Sequence, residues 1–228
     1  MSASENRGSL VSDRNVVEGR NGGGNIAAAV AMSLYNAEIS AGSLLPLESK
    51  RIAGLLLTMP DEAAWRHAVE VENILQKKTP ATARRQATLL RRRLTTLDAQ
   101  AWTMISQSQH EVAVQMLLAA SVKHSHLLGD FLLKVYAQRQ RRLEPALAPV
   151  DWHDFLAECA HHDPAVAGWS ESTRAKLFQV IVRILAEAKY LGDARSMRLT
   201  PRSLHPDVRR YLTARHETYV LDCLERAK

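Results

Sequence analysis

In "PLESKRIAGLLL", charged side chains alternate with Leu, Ile and Ala at helical spacing, which predicts a helix over Pro46–Leu57. "TMPDEAAW" breaks that pattern and restarts it. Pro60 and Asp61 suit a helix start, and the second helix is expected to reach about Gln76 and bury Trp65, Val69, Ile74 or their neighbours. After "KKTP", Thr79 can cap a third helix whose first turn takes Pro80, a residue with no N–H to leave unpaired. In that helix Ala83, Ala87, Leu90, Leu94 and Leu97 fall on one apolar stripe.

The same reading carries to the C-terminus. A short helix capped by Asp98 is followed by one long helix or two, with a break near Lys123–Ser125 or at Gly129. That stretch ends in the basic run Arg139, Arg141 and Arg142. "EPALAPVD" holds two prolines, Pro145 and Pro149, and is the expected domain boundary. A helix is expected from about Asp151. "STRAKLFQVIVRILAEAKYL" is the most regular helix, with Leu177, Val180, Ile181, Ile184 and Ala188 on its core stripe. "YLGDARSMRL" then reads as a short hairpin, and one or two helices close the chain. No internal repeat of fixed period is present.

The pattern thus predicts an all-α protein of two helical domains, with at most a small β-hairpin wing near the second. Residues 1–25 are expected to be a disordered tail, 26–147 a helical domain with a helix-turn-helix-like unit, and 148–228 a winged-helix-like domain. The tail expectation rests on its Ser, Asn and Gly content, which cannot bury enough apolar surface to offset chain entropy.

Composition supports helices over strands: aromatics are 5% of the 228 residues, while Ala and Leu abound. A formal charge of +6 favours acidic partners such as nucleic acid or anionic lipid. Only two cysteines, Cys159 and Cys223, occur, so no disulfide framework is expected. The longest apolar runs fall far short of the ~20 residues that span a bilayer. The chain is therefore expected to be cytoplasmic, with no membrane contact.

The chemistry-bearing residues point to anion binding rather than catalysis. "ARRQATLLRRR" places Arg84, Arg85, Arg91 and Arg92 on one arc of the third helix, with Thr88 among them, while Arg93 lies elsewhere. Lys77, Lys78 and Thr79 precede them. Two helices and a tight break lead into this one, the order of a helix-turn-helix unit whose last helix enters the major groove. Arginine forks match phosphates and guanine edges bidentately. A solvated face with carboxylate partners from elsewhere in the chain is the other reading. The helix itself holds no Glu or Asp, which favours an external anion.

A second basic face carries Ser172, Lys176, Gln179 and Arg183, followed by Arg195 and Arg198 in the hairpin. Cys159 with His161 and His162, and His124 with His126, show no zinc-ligand spacing. There is no phosphate loop, nucleophile elbow or HExxH, so no catalytic residue, metal, cofactor or small-molecule substrate is expected.

The segments "YNAEISAGSLLPLESKRIAGLLL", "NILQKKTPATARRQATLLRRRL", "WSESTRAKLFQVIVRILAEAKYL" and "LTPRSLHPDVRRYL" occur in this order from Tyr35 to Leu212. Together they resemble the BrxA family of BREX phage-defence systems. The resemblance implies a small, all-helical, non-enzymatic and DNA-binding component with a helical likeness to the antitermination factor NusB. It would act beside a methyltransferase and ATPases. It implies no catalytic residues. The expected partners are double-stranded DNA and other components of the defence system. A protein–protein adaptor and a NusB-like RNA-binding protein are the alternatives.

Overall fold

Asp61, Thr79, Asp98 and Ser170 each stand one residue before a helix, and each accepts a backbone N–H of its first turn. The bonds are Ala64 N–Asp61 Oδ1 at 2.7 Å, Thr82 N–Thr79 Oγ1 at 3.2 Å, Ala101 N–Asp98 Oδ1 at 3.1 Å and Thr173 N–Ser170 Oγ at 3.2 Å. Such caps satisfy donors that the helix leaves free, so short polar residues mark the starts. The computed structural model describes residues 33–226. The tail expected over 1–25 lies outside the described residues.

The helices are α1 (Pro46–Leu57), α2 (Glu62–Arg66), α3 (Pro80–Leu94), α4 (Ala99–Gln107), α5 (His110–His124), α6 (His126–Asp130), α7 (Ala137–Arg141), α8 (Pro149–His162), α9 (Pro164–Ala167), α10 (Glu171–Glu187), α11 (Pro206–Ala214) and α12 (Thr218–Glu225). A 3₁₀ turn, Glu38–Ala41, precedes them, and π turns extend α2 over His67–Val71 and join α6 to α7 over Phe131–Tyr136. Among the described residues there is no named strand, only two isolated antiparallel bridges, Ala146–Arg198 and Leu191–Leu199. The fold is all-α, as the pattern predicts.

One boundary differs from expectation, and one of two alternatives is decided. The second helix ends at Val71 rather than near Gln76. There Asn73, at φ 50°, uses its side-chain amide to bond both Lys77 N and Lys77 O at 2.9 Å, and this local ring replaces the next helical turn. The long helix breaks at Ser125, whose backbone is extended. Gly129 is not a break but a close approach: a Cβ there would lie 2.3 Å from Tyr219 Oη. That hydroxyl donates to Asp130 Oδ1 at 2.7 Å, while Tyr35 Oη donates to Oδ2 at 2.6 Å. Asp130 therefore ties the start of the described chain to α12.

Gly129→Ala is accordingly expected to expel Tyr219 and to destabilise by about 1–3 kcal/mol, the usual range for overpacking. Thermal unfolding checks this, at about 2–4 °C per kcal/mol for a chain of this size. An unchanged Tm would show that the α6–α12 approach is loose.

Helix α5 is buried from Val112 to Val122, all the way round, and is the axis of the core. α1, α3 and α4 pack on it from one half of the sequence, α11 and α12 from the other. Gln115 on α5 secures the second group, donating to Ser203 O at 3.1 Å and accepting from His205 N at 2.7 Å. The core thus runs across the boundary expected at 147/148, and residues from Ser33 onward form one compact unit. The proline-rich stretch is not a free link. Pro145 O accepts Leu199 N at 2.9 Å, and Leu147 N donates to Met197 O at 3.1 Å. α8 and α10 join the same core through Trp152, whose ring lies 5.8 Å from Phe131 and stacks on Phe178 at 5.5 Å.

Candidate nucleic-acid interface

α3 buries the stripe its spacing predicts. Ala83, Ala87, Leu90 and Leu94 are each 1% exposed. The opposite arc presents Arg84, Arg85, Thr88 and Arg92 to solvent, with Arg91 half-buried. The expected convergence of four arginines on one face is therefore present. Two adjoining grooves run along that face. One, about 470 Å³, is lined by Glu62, Trp65, Arg66, Arg84 and Arg91; the other, about 280 Å³, by Glu38, Leu89 and Arg85; Thr88 and Arg92 line both.

The carboxylates missing from the helix come from its neighbours. Arg91 pairs with Glu62 at 3.0 Å and lies over the Trp65 ring at 4.5 Å. Arg84 approaches Glu70 at 3.6 Å, and Arg92 pairs with Glu38 at 3.2 Å. Sequence spacing within one helix gives no sight of these partners. Pairs as exposed as these contribute only about 0–1 kcal/mol each, so a phosphate can displace them. Arg85 and Lys78 have no carboxylate partner among the described residues. Lys77 is engaged, 2.5 Å from Glu48 and half-buried. Burial pushes the Glu48 carboxyl up, but hydrogen bonds from Lys77 and the Glu48 backbone, with the charges of Lys77 and Arg51, together hold it below its usual range. Thr79 spends its hydroxyl on the cap, and Thr88 donates to Arg84 O at 2.9 Å.

The second basic face differs in charge balance. Ser172, Lys176, Gln179 and Arg183 are exposed along α10, and Arg195 and Arg198 are exposed on the hairpin. None of these four cations has a carboxylate within 4 Å among the described residues. Asp193, beside Arg195, is occupied with its own turn. It accepts from Ser196 Oγ, Ser196 N and Arg195 N at 2.7–2.8 Å, which lowers its pKa.

The two faces share an anchor that sequence reasoning missed. Arg93, 2% exposed, points away from its neighbours and donates to Ser43 O at 2.5 Å and Gly42 O at 2.7 Å. From α10, Glu187 accepts Ser43 Oγ at 2.7 Å and Leu44 N at 2.8 Å. The C-terminal ends of α3 and α10 thus grip the same three residues. Burial pulls the Arg93 guanidinium down to about 10, against the opposing pull of Glu187, so it stays charged at neutral pH. The available signal was its position: Arg93 stands off the arginine arc, one residue before Leu94 of the core stripe.

Nearby His124 lies 3.4 Å from Glu38. Burial, then the charge of Arg93, lowers its pKa against the pull of Glu38, so Glu38 is left to Arg92. The remaining His and Cys do not converge: no group of three or more potential metal ligands occurs among the described residues. Cys159 is buried, and burial pushes its thiol up to about 11. No helix among the described residues is long and apolar enough to cross a membrane.

The BrxA family model matches residues 33–216, which include both basic faces and the 42–44 anchor. The chain belongs to the BrxA family. BREX protein BrxA of Paramagnetospirillum magneticum is 42% identical over 191 residues, 84% of this chain and 96% of that protein. BREX protein BrxA of Escherichia coli O9:H4 is 35% identical, covering 82% of this chain and 88% of its own length. A crystal structure of an uncharacterized protein from Magnetospirillum magneticum superposes with a TM-score of 0.79 at 40% identity, covering 85% of this chain and 99% of that one. The family resemblance carried by the four sequence segments is therefore correct, and the BrxA match spans the helices that hold the candidate interface.

Proposed function

We propose that this BrxA-family chain is a non-enzymatic accessory component of a BREX phage-defence system that holds double-stranded DNA, mainly by phosphate contacts from its basic helix faces. The observation that carries the reading is the pair of exposed cationic faces on α3 and α10, both built on rigid helices and anchored at residues 42–44. Arginine forks held on helices meet phosphates without reordering the backbone, and the exposed α3 pairs are weak enough for a phosphate to compete with their carboxylates.

The aromatic residues support the duplex specifically. All twelve Phe, Trp and Tyr side chains lie among the described residues, and each is buried or half-buried. Single-stranded nucleic acid is held by stacking bases on exposed rings, and this surface offers none. RNA binding of the NusB kind would have to use the backbone alone.

Fluorescence anisotropy with a duplex across a salt series tests the proposal. Affinity is expected to fall by about 0.9 log unit per log unit of salt for each phosphate engaged. Arg84/Arg85/Arg91/Arg92→Ala is expected to bind more weakly and with a shallower slope. Equal binding by wild type and variant would remove α3 from the contact, and no duplex binding by wild type would end the reading.

A second reading, a protein–protein adaptor for other defence-system components, draws on one observation. A groove between α1 and the first π turn is lined by Gly54, Leu55, Ala68 and Ile74, with Met59 and Val71 exposed at the ends of the same elements. A pull-down partner that survives nuclease and high salt would favour it.

A further inference from the structure

The stretch between α7 and α8 belongs to the hairpin rather than separating two domains. The hairpin itself is closed by Gly192 N–Arg198 O and Thr200 N–Tyr190 O, both 2.9 Å. Its outer arm, residues 197–199, pairs on the other side with residues 145–147. Three short extended segments therefore lie side by side, and the middle one carries Arg198. Arg141, Arg142 and Leu143 lead directly into the first of them.

All three of these residues are exposed. Arg141 and Arg142 have no carboxylate within 4 Å among the described residues, because the acids close in sequence are already taken. Arg139 holds both Glu144 and Asp151. Leu143 is 90% exposed, the highest of the large apolar side chains among the described residues. It also sits at φ 56°, where α7 ends with Leu143 N–Gln140 O at 2.9 Å and Glu144 N–Arg139 O at 3.0 Å. Helix ends of this form favour glycine, so leucine here is unfavourable both in backbone and in exposure. Nothing in the fold uses its side chain.

From this juxtaposition we infer that Arg141, Arg142 and Leu143 form, with Arg198 of the adjoining hairpin, an additional contact surface for duplex DNA. The inference rests on the duplex reading above and extends it to residues outside α3 and α10. The chemistry fits a groove edge: three guanidinium groups free for phosphates, on the same side of the fold as one apolar tip. Duplex-binding proteins place Leu, Ile or Phe against sugar and base edges in this way, between flanking cations.

Two variants of the full chain test it by anisotropy with a duplex, each with a thermal melt. Arg141→Ala/Arg142→Ala is expected to keep the wild-type Tm, to weaken binding several-fold and to lower the salt slope by up to about 1.8, which is 0.9 for each of two phosphates. Leu143→Gly is expected to keep or raise Tm, because glycine suits the positive φ, and still to bind several-fold more weakly. A merely structural leucine would give the opposite pairing.

The outcomes separate cleanly. If wild type binds no duplex, the proposed function and this inference both fall. If wild type binds and the double variant matches it in affinity and slope, the inference alone is overturned. Unchanged binding by Leu143→Gly removes the apolar tip from the contact. Loss of binding to anionic phosphatidylserine vesicles, with duplex binding intact, would assign the surface to a membrane and overturn the inference as well.

Discussion

Arg93→Met is expected to lower stability by about 3–5 kcal/mol, the range for removing one partner from a buried charged network. The substitution preserves most of the side chain's apolar length, so the effect is not that of a large cavity. It leaves Ser43 O and Gly42 O buried without their donors, and it leaves Glu187 without its buried counter-charge. Those carbonyls belong to the segment that carries the chain from Ile39 into α1, so the loss reaches the packing of α1 and α3 together. Arg93→Lys should rescue little, because one ammonium cannot span two carbonyls as the planar fork does. In urea the midpoint should fall for both variants with the slope unchanged. A loss below about 1 kcal/mol would mean that water replaces the guanidinium, which would be the behaviour of an exposed group.

Lys176→Ala/Arg183→Ala/Arg195→Ala/Arg198→Ala is expected to cost more duplex affinity than the matching four-arginine variant of α3. The reason lies in what each phosphate displaces. On α10 and the hairpin the cations have no carboxylate partners among the described residues, so each phosphate contact releases only condensed counterions. Four such contacts contribute up to about 3.6 to the salt slope. On α3, three of the four arginines already face Glu38, Glu62 or Glu70, so a phosphate must displace a carboxylate that stays nearby and repels it. The α3 variant should therefore lose less affinity and less slope. All eight side chains are surface groups, and substitutions of this kind usually change stability within about 0.5 kcal/mol each, so melts should separate binding loss from unfolding. A greater loss from the α3 variant would reverse the ranking.

The arginine run shows where sequence reading succeeds and where it stops. Which arginines share a face follows from helical geometry, and α3 places Arg84, Arg85, Arg91 and Arg92 as that geometry requires. Whether those arginines are quenched depends on Glu38, Glu62 and Glu70, which lie 14 or more residues away along the chain. Arg93 is the sharper case. Its identity suggests surface, but its angular position beside Leu94 places it in the core, where α10 supplies Glu187 from 94 residues further on.

The proline-rich stretch shows the same division. Its two prolines do interrupt helix: α7 ends before Pro145, and α8 begins at Pro149. Prolines break local hydrogen bonding but say nothing about what packs across the break. The hairpin pairs with residues 145–147, and α11 and α12 return to α5, so one core forms where composition suggests two.

By itself the sequence determined the helices, their caps and the all-α class, because caps, prolines and apolar spacing act within a few residues. Its four ordered segments also identified the BrxA family. Only the tertiary structure decided which charges meet. It brought carboxylates to three of the arginines of α3, buried Arg93 between two helices and set Arg141 and Arg142 beside the hairpin. Charge pairing depends on distance in space, and folding joins residues that no local spacing connects.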